Sequence, residues 1–134
     1  MRVATALVAD YAAQTNDGKL IVAGIFDTLF CLGDTPFRHP HMAVAIRIHL
    51  HPGEAPKHQI RMKLVDPDGV DTVPELEGEF EVPVVDPTAG ASAQFVLNLE
   101  NVEFKALGRH SFDIFIDGRF EESVPLTVSP ATPR

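Results

Sequence analysis

A chain of 134 residues has the length of one domain and can bury a core without disulfide bonds. Its net charge of −8 and isoelectric point near 5.1 repel phosphate backbones and anionic lipid surfaces, which argues against nucleic acid and membrane as partners. A single cysteine, Cys31, and an apolar run at 3–9 that is short for a signal-peptide core favour a reducing, cytoplasmic location.

The first half of the chain is predicted to begin with two β-strands, at residues 3–12 and 20–26. Both are nearly continuous apolar runs, which is typical of strands covered on two faces, and Asp17-Gly18 between them predicts a turn. Gly24 predicts a bulge or a close backbone approach inside the second strand. Residues 27–41 are predicted to form a connector.

Clear alternation of apolar and polar residues predicts the later strands. Residues 92–104 are expected to bend near Glu100-Asn101. Residues 109–128 alternate on both sides of Asp117-Gly118, which is a strong hairpin signal. The remaining predicted strands lie at residues 42–50, 58–65 and 76–84.

The pattern as a whole predicts an all-β fold, an antiparallel β-sandwich of seven to nine strands with an immunoglobulin-like architecture. A closed β-barrel is the alternative. Residues 1–128 are expected to be one domain and 129–134 a frayed tail. Shared parity predicts one core formed by Ile46, Ile48, Ile60, Met62, Phe95, Leu97, Phe112, Ile114, Ile116 and Leu126.

Several segments carry a family resemblance. The block ALVADYAAQTNDGKLIVAGIFDTLF continues into PFRHPHMAVAIRI and later LVDPDG. Together these segments resemble a family of small bacterial proteins classified only as a domain of unknown function. The resemblance covers most of the chain and implies a folded unit, with no activity to transfer.

Histidines are concentrated in one part of the sequence. His49 and His51 are two residues apart on a predicted strand, so their rings face the same side and can approach one metal ion. His39 or His41 can supply a third ligand, as can His58 on the next strand. The alternative interpretation is that these histidines occupy a solvent-facing surface.

Sequence motifs for catalysis or cofactor binding are absent from the chain. The chain has no Gly-x-Ser-x-Gly elbow, no phosphate loop and no dinucleotide fingerprint, so no catalytic residue and no cofactor are expected. Arg61 and Lys63 share the outer face of the predicted strand at residues 58–65. They are expected to pair with a row of glutamates that follows this strand in the sequence. That row is Glu75, Glu77, Glu79 and Glu81.

Three aromatic residues suggest an interaction surface. Phe30 and Phe37 lie in the predicted connector, and Phe115 falls on the otherwise polar face of its strand. These residues predict contact with a protein partner or with a second copy of the chain in a homodimer. The alternative is that the connector packs against the open end of the sandwich and buries its aromatic residues in the core. We therefore expect a non-catalytic binding or assembly module. The second hypothesis is a metal- or small-ligand-binding protein that uses the region of His39, His41, His49 and His51.

Overall fold

The computed structural model describes residues 1–83, 86 and 88–131, and these residues form nine β-strands and no helix. The described part of the chain therefore contains no helix that could span a membrane. The strands are β1 (Arg2–Gln14), β2 (Leu20–Ile25), β3 (Thr28–Cys31), β4 (Phe37–Leu50), β5 (Lys57–Val65), β6 (Leu76–Glu81), β7 (Ala91–Phe104), β8 (Gly108–Ile116) and β9 (Arg119–Pro130).

The strands form two sheets. Sheet A has the order β2-β1-β4-β7, and sheet B has the order β3-β9-β8-β5-β6. The all-β prediction is confirmed, with the strand count at the upper end of the expected range. Six of the seven strand pairings are antiparallel, but β3 runs parallel to β9, so the prediction of a purely antiparallel arrangement is wrong for this pair.

The predicted connector at 27–41 contains strand structure at both ends, because β3 lies within it and β4 begins at Phe37. In β3 the side chains alternate as in any half-buried strand. Leu29 and Cys31 are buried, whereas Phe30 is exposed. Four residues are too few for alternation in the sequence to distinguish this strand from a loop.

A kink divides β4 and its partner β7. Asn101 has a φ of 50°, and it lies opposite Pro40. On one side of the kink Met42 and Leu99 face the core, and on the other side the inward positions are taken by Phe37 and Val102. The predicted bend near Glu100-Asn101 is confirmed, and it reverses which residues of each strand point inward.

One hydrophobic core lies between the two sheets and includes all ten residues that the alternation predicted. Seven of them are buried. Ile60, Phe95 and Leu97 are only partly buried. These three lie on β5 and β7, where the two sheets leave the core open on one side.

The β8–β9 hairpin turns at Asp117-Gly118, as predicted, and the φ values of 51° and 80° are those of a type I′ turn. Asp117 also holds β5 to the turn. Its Oδ1 accepts a hydrogen bond of 2.9 Å from the Gln59 amide, and its Oδ2 lies 2.5 Å from His58 Nδ1. The amide of Gln59 and the His58 ring lower the pKa of the Asp117 carboxyl.

The last strand extends further than expected. β9 continues through Pro130, and the Ala131 amide donates to the Cys31 carbonyl, although the sequence predicted a frayed tail from 129. Residues 132–134 of that tail lie outside the described residues, as does Val84 at the predicted end of β6.

Candidate binding surface

The two sheets open on one side, between the edge strands β7 and β6. An apolar cleft with a volume of about 240 Å³ lies there. Its walls are side chains of the core itself, from β4 and β5 as well as from both edges. They are Val44, Ile46, Ile60, Met62, Leu76, Phe95 and Leu97, with Glu77, Gly78 and Glu79 at the mouth.

Gly78 explains why the cleft exists. In β6 the inward-facing residues are Leu76, Gly78 and Phe80, and the side chains of Leu76 and Phe80 pack against the core. The backbone of Gly78 does not require glycine, because its φ is not positive. A Cβ atom there would meet only Ile60 Cγ2, at 3.8 Å, which is an ordinary contact. The position can therefore hold a side chain, and the lack of one leaves the core open.

An aromatic contact closes one end of this cleft. The ring centroids of Phe80 on β6 and Phe95 on β7 lie 4.7 Å apart at an angle of 60°. Phe80 is 8% exposed, and its other face stacks on His58 at 5.4 Å. This pair connects the edges of the two sheets beside the cleft.

The β7 edge differs from the other three sheet edges. Residues 91–99 (ASAQFVLNL) contain no charge, no proline and no glycine, and within the described residues β7 pairs with β4 alone. By contrast, β3 has four residues, β2 has a positive-φ glycine, and β6 carries glutamates. Short length, bulges and charge are the usual means of protecting an edge strand. The long β7 edge has none of them over these nine residues.

The other face of β6 is acidic. Arg61 Nε lies 3.2 Å and Lys63 Nζ 3.7 Å from Glu75 Oε1, so the predicted pairing with the glutamate row is confirmed at Glu75. The Arg61 contact is an ion pair without hydrogen-bond geometry. Among the described residues, Glu77 and Glu79 make no ion pair. They alternate with the inward residues of β6, so their side chains lie on the outer face of sheet B, with Arg61 and Phe115.

The predicted metal ligands are only partly brought together. The rings of His49 and His51 lie 6.5 Å apart at 88°, and His49 Nδ1 is 2.9 Å from Ser92 Oγ. His39 is ten residues before His49 on the same strand, roughly 33 Å away. His41 Nδ1 lies 2.6 Å from Glu100 Oε1 instead. No group of three potential ligands occurs in the described part of the chain.

The predicted interface residues lie at three different places. Phe30 is 63% exposed on the outer side of the β3 edge. Phe37 packs against the core and stacks on Phe104, with ring centroids 6.1 Å apart. Phe115 is half-buried on the outer face of sheet B, where the Arg61 guanidinium covers its ring at 4.5 Å and Phe120 packs beside it.

Sequence reasoning missed the β7–β6 cleft. A signal was present in the segment LEGEF, where a glycine occupies the inward row between a leucine and a phenylalanine. Reading it also requires the strand order, because the cleft walls come from four strands separated in sequence. The fully buried His110 was missed as well. It packs against Phe104 at 5.2 Å, and its Nε2 has no hydrogen-bond partner.

Comparisons with known proteins place the chain in a family. No curated protein sequence matches it. Among solved structures, Pseudomonas fluorescens alkylpurine DNA glycosylase AlkC bound to DNA containing an abasic site analog is similar, with 10% identity and a TM-score of 0.49. That match covers 92% of this chain and 30% of the glycosylase chain, less than a third of its length. A model of DUF6941, a family of unknown function, matches residues 4–129, and the chain belongs to this family.

Proposed function

We propose that this member of the DUF6941 family is a non-catalytic protein-binding module that receives an extended segment of another protein along β7. The observation that carries the proposal is the coincidence of an unprotected strand edge with an apolar cleft beside it. In strand addition, main-chain hydrogen bonds to a sheet edge give affinity, and pockets for alternate side chains give specificity. The β7 edge offers the main-chain hydrogen-bonding groups, and the cleft offers a pocket for side chains.

The size of the cleft supports a polypeptide rather than a small molecule. Small-molecule sites have volumes of roughly 300–1,000 Å³ and enclose most of their ligand. The apolar cleft has about 240 Å³ and is open along one side. This volume suits single apolar side chains that project from a strand paired with β7.

Other expectations from the sequence remain as proposals. The facing sheets support an immunoglobulin-like sandwich, and the buried thiol of Cys31 supports a cytoplasmic location. A homodimer formed through Phe30 or Phe115 is the alternative assembly. Metal binding by His49 and His51 is the weaker alternative, since protein zinc sites use three or four protein ligands.

A substitution pair on β7 tests the proposal. Leu97→Lys places a charge in the cleft, and Asn98→Lys places the same charge on the opposite face of the same strand. The probe is a displayed library of random peptides of about nine residues, a strand's length, selected on the native protein. Selected peptides are expected to bind the Leu97 variant at least about tenfold more weakly, because a buried charge next to apolar side chains is unfavourable.

The Asn98 variant should bind the same peptides with nearly native affinity, and circular dichroism should show both variants folded. The proposal fails if no peptide is enriched, or if the enriched peptides bind the two variants equally. Light scattering of the native protein identifies the alternative, because a stable dimer that excludes these peptides would mean that a second copy occupies β7.

A further inference from the structure

We infer that the β7–β6 cleft is a site for an aromatic ring, and that the segment bound along β7 supplies this ring as a phenylalanine side chain. The inference rests on the proposed function and adds the chemistry of the partner's anchor residue. Side chains directly opposite each other on paired strands lie on the same face of a sheet. A residue of the bound segment that lies opposite Phe95 or Leu97 therefore faces inward with them, toward β6 and into the cleft.

The volume of the cleft suits a ring. A cavity of about 150 Å³ lined by leucine, isoleucine and phenylalanine is large enough to bind benzene. The β7–β6 cleft has about 240 Å³ and walls of the same kind. It borders Gly78, which lacks the inward side chain that Leu76 and Phe80 have on either side of it. A small side chain would leave part of this space empty, and a gap between apolar walls forfeits dispersion contacts.

Two residues of the walls favour an aromatic ring over an aliphatic side chain. Phe95 is only partly buried, and it already forms an edge-to-face pair with Phe80, at a centroid distance of 4.7 Å. A further ring beside Phe95 would extend this contact, and aromatic pairs contribute more than the area that they bury. Met62 lines the same cleft, and a methionine sulfur makes favourable contacts with ring edges.

Phenylalanine fits this cleft better than tyrosine or tryptophan. The wall side chains are aliphatic or aromatic, with the thioether of Met62 among them, and they carry no hydroxyl, amide or charged group. A buried tyrosine hydroxyl or tryptophan N–H normally needs a hydrogen-bond partner, which these side chains do not offer. A phenylalanine ring enters without losing a hydrogen bond to water.

Four peptides of about nine residues test the anchor. They share the sequence of one selected library peptide and differ only at the apolar position where alanine weakens binding most. That position holds phenylalanine, cyclohexylalanine, leucine or alanine. Isothermal titration calorimetry should show that phenylalanine binds at least about tenfold more tightly than alanine, because a large apolar surface is buried. It should exceed cyclohexylalanine, which has a similar size but no aromatic ring, by at least about threefold.

A matched pair of variants assigns this preference to the cleft. Phe95→Leu keeps an apolar wall and removes its ring, so the phenylalanine and cyclohexylalanine peptides should bind it within about twofold of each other. Phe120→Leu makes the same change in an edge-to-face pair with Phe115, outside the cleft, and should retain the preference. Circular dichroism should show both variants folded.

Methyl NMR reports the position of the ring. The chain has three methionines, Met1, Met42 and Met62, of which Met62 lines the cleft. An aromatic ring shifts the resonances of nearby methyl groups, so the phenylalanine peptide should shift the Met62 methyl more than the cyclohexylalanine peptide does. The methyl groups of Met1 and Met42 should change little. Toluene, which needs no paired strand, should also shift the Met62 methyl.

Each result decides the matter. Equal binding of the phenylalanine and cyclohexylalanine peptides, an equal loss of preference in both variants, or an unchanged Met62 methyl would overturn the aromatic-site inference. If the selected library peptides still depend on Leu97 in any of these cases, the binding-module proposal stands without it. If no peptide binds but toluene shifts the Met62 methyl, the cleft remains a site for an aromatic ring and the binding-module proposal fails. If neither peptide nor toluene binds, both fail.

Discussion

Replacing Gly78 with leucine is expected to stabilise the protein and to abolish peptide binding at the β7–β6 cleft. The position tolerates a side chain, because a Cβ atom there would meet only Ile60, at 3.8 Å. Removing glycine from a strand gains roughly 0.5–1 kcal/mol in the free energy of unfolding, and new apolar contacts add about 1 kcal/mol. The melting temperature should rise by about 5 °C.

Binding of the selected library peptides to Gly78→Leu should weaken by at least about thirtyfold, because the leucine occupies the space that the peptide side chains would enter. Gly78→Ala is the matched control. It adds one methyl group, so it should give a smaller stabilisation and keep most of the affinity. A leucine variant that binds like the native protein would show that the peptide lies elsewhere, and a lower melting temperature would show that the cleft does not accept a side chain.

Replacing Phe80 with alanine is expected to produce the largest loss of stability among the cleft variants. Phe80 is 8% exposed and contacts both Phe95, at 4.7 Å, and His58, at 5.4 Å. Truncation of a buried phenylalanine costs about 3–5 kcal/mol. Because Phe80 lies at an open edge where neighbours can move, we expect about 3 kcal/mol and a melting temperature about 10 °C lower.

Phe120→Ala is the control for this measurement. Phe120 also belongs to an edge-to-face aromatic pair, with Phe115, but it is 56% exposed. Its truncation should cost less than about 1 kcal/mol, since most of its surface is already in water. Urea unfolding of both variants gives the comparison. Equal losses would mean that Phe80 does not connect the two sheets through the core.

Local patterns in the sequence predicted most of the strands and the core. Alternation identified the inward rows of β4, β5, β7 and β8, because one face of each is covered by the other sheet. Asp117-Gly118 predicted its turn, since both positions need a positive φ that few residue pairs accept. Gly24 predicted a close approach, and a Cβ atom there would lie 2.5 Å from Asp10 Oδ2.

The parts that were missed depend on pairing between distant segments. Alternation shows which residues of a strand share a face but not which strand lies beside it, so the parallel β3–β9 pair could not be foreseen. The sequence predicts a connector at Phe37 because the kink at Pro40 and Asn101 reverses the inward positions and interrupts the alternation. The cleft was missed for the same reason, since Gly78 matters only once Leu97 is known to lie nearby.

Amide hydrogen exchange, followed by NMR with and without a selected library peptide, tests strand addition at β7 most directly. Neighbouring amides of a strand point to opposite sides, so every second amide of residues 92–98 faces away from β4 and exchanges freely in the unbound protein. If a segment pairs with β7, these alternate amides become protected on binding, and the amides that already bond to β4 change little. Protection without this alternation, or protection confined to β3 or to the outer face of sheet B, would contradict the account.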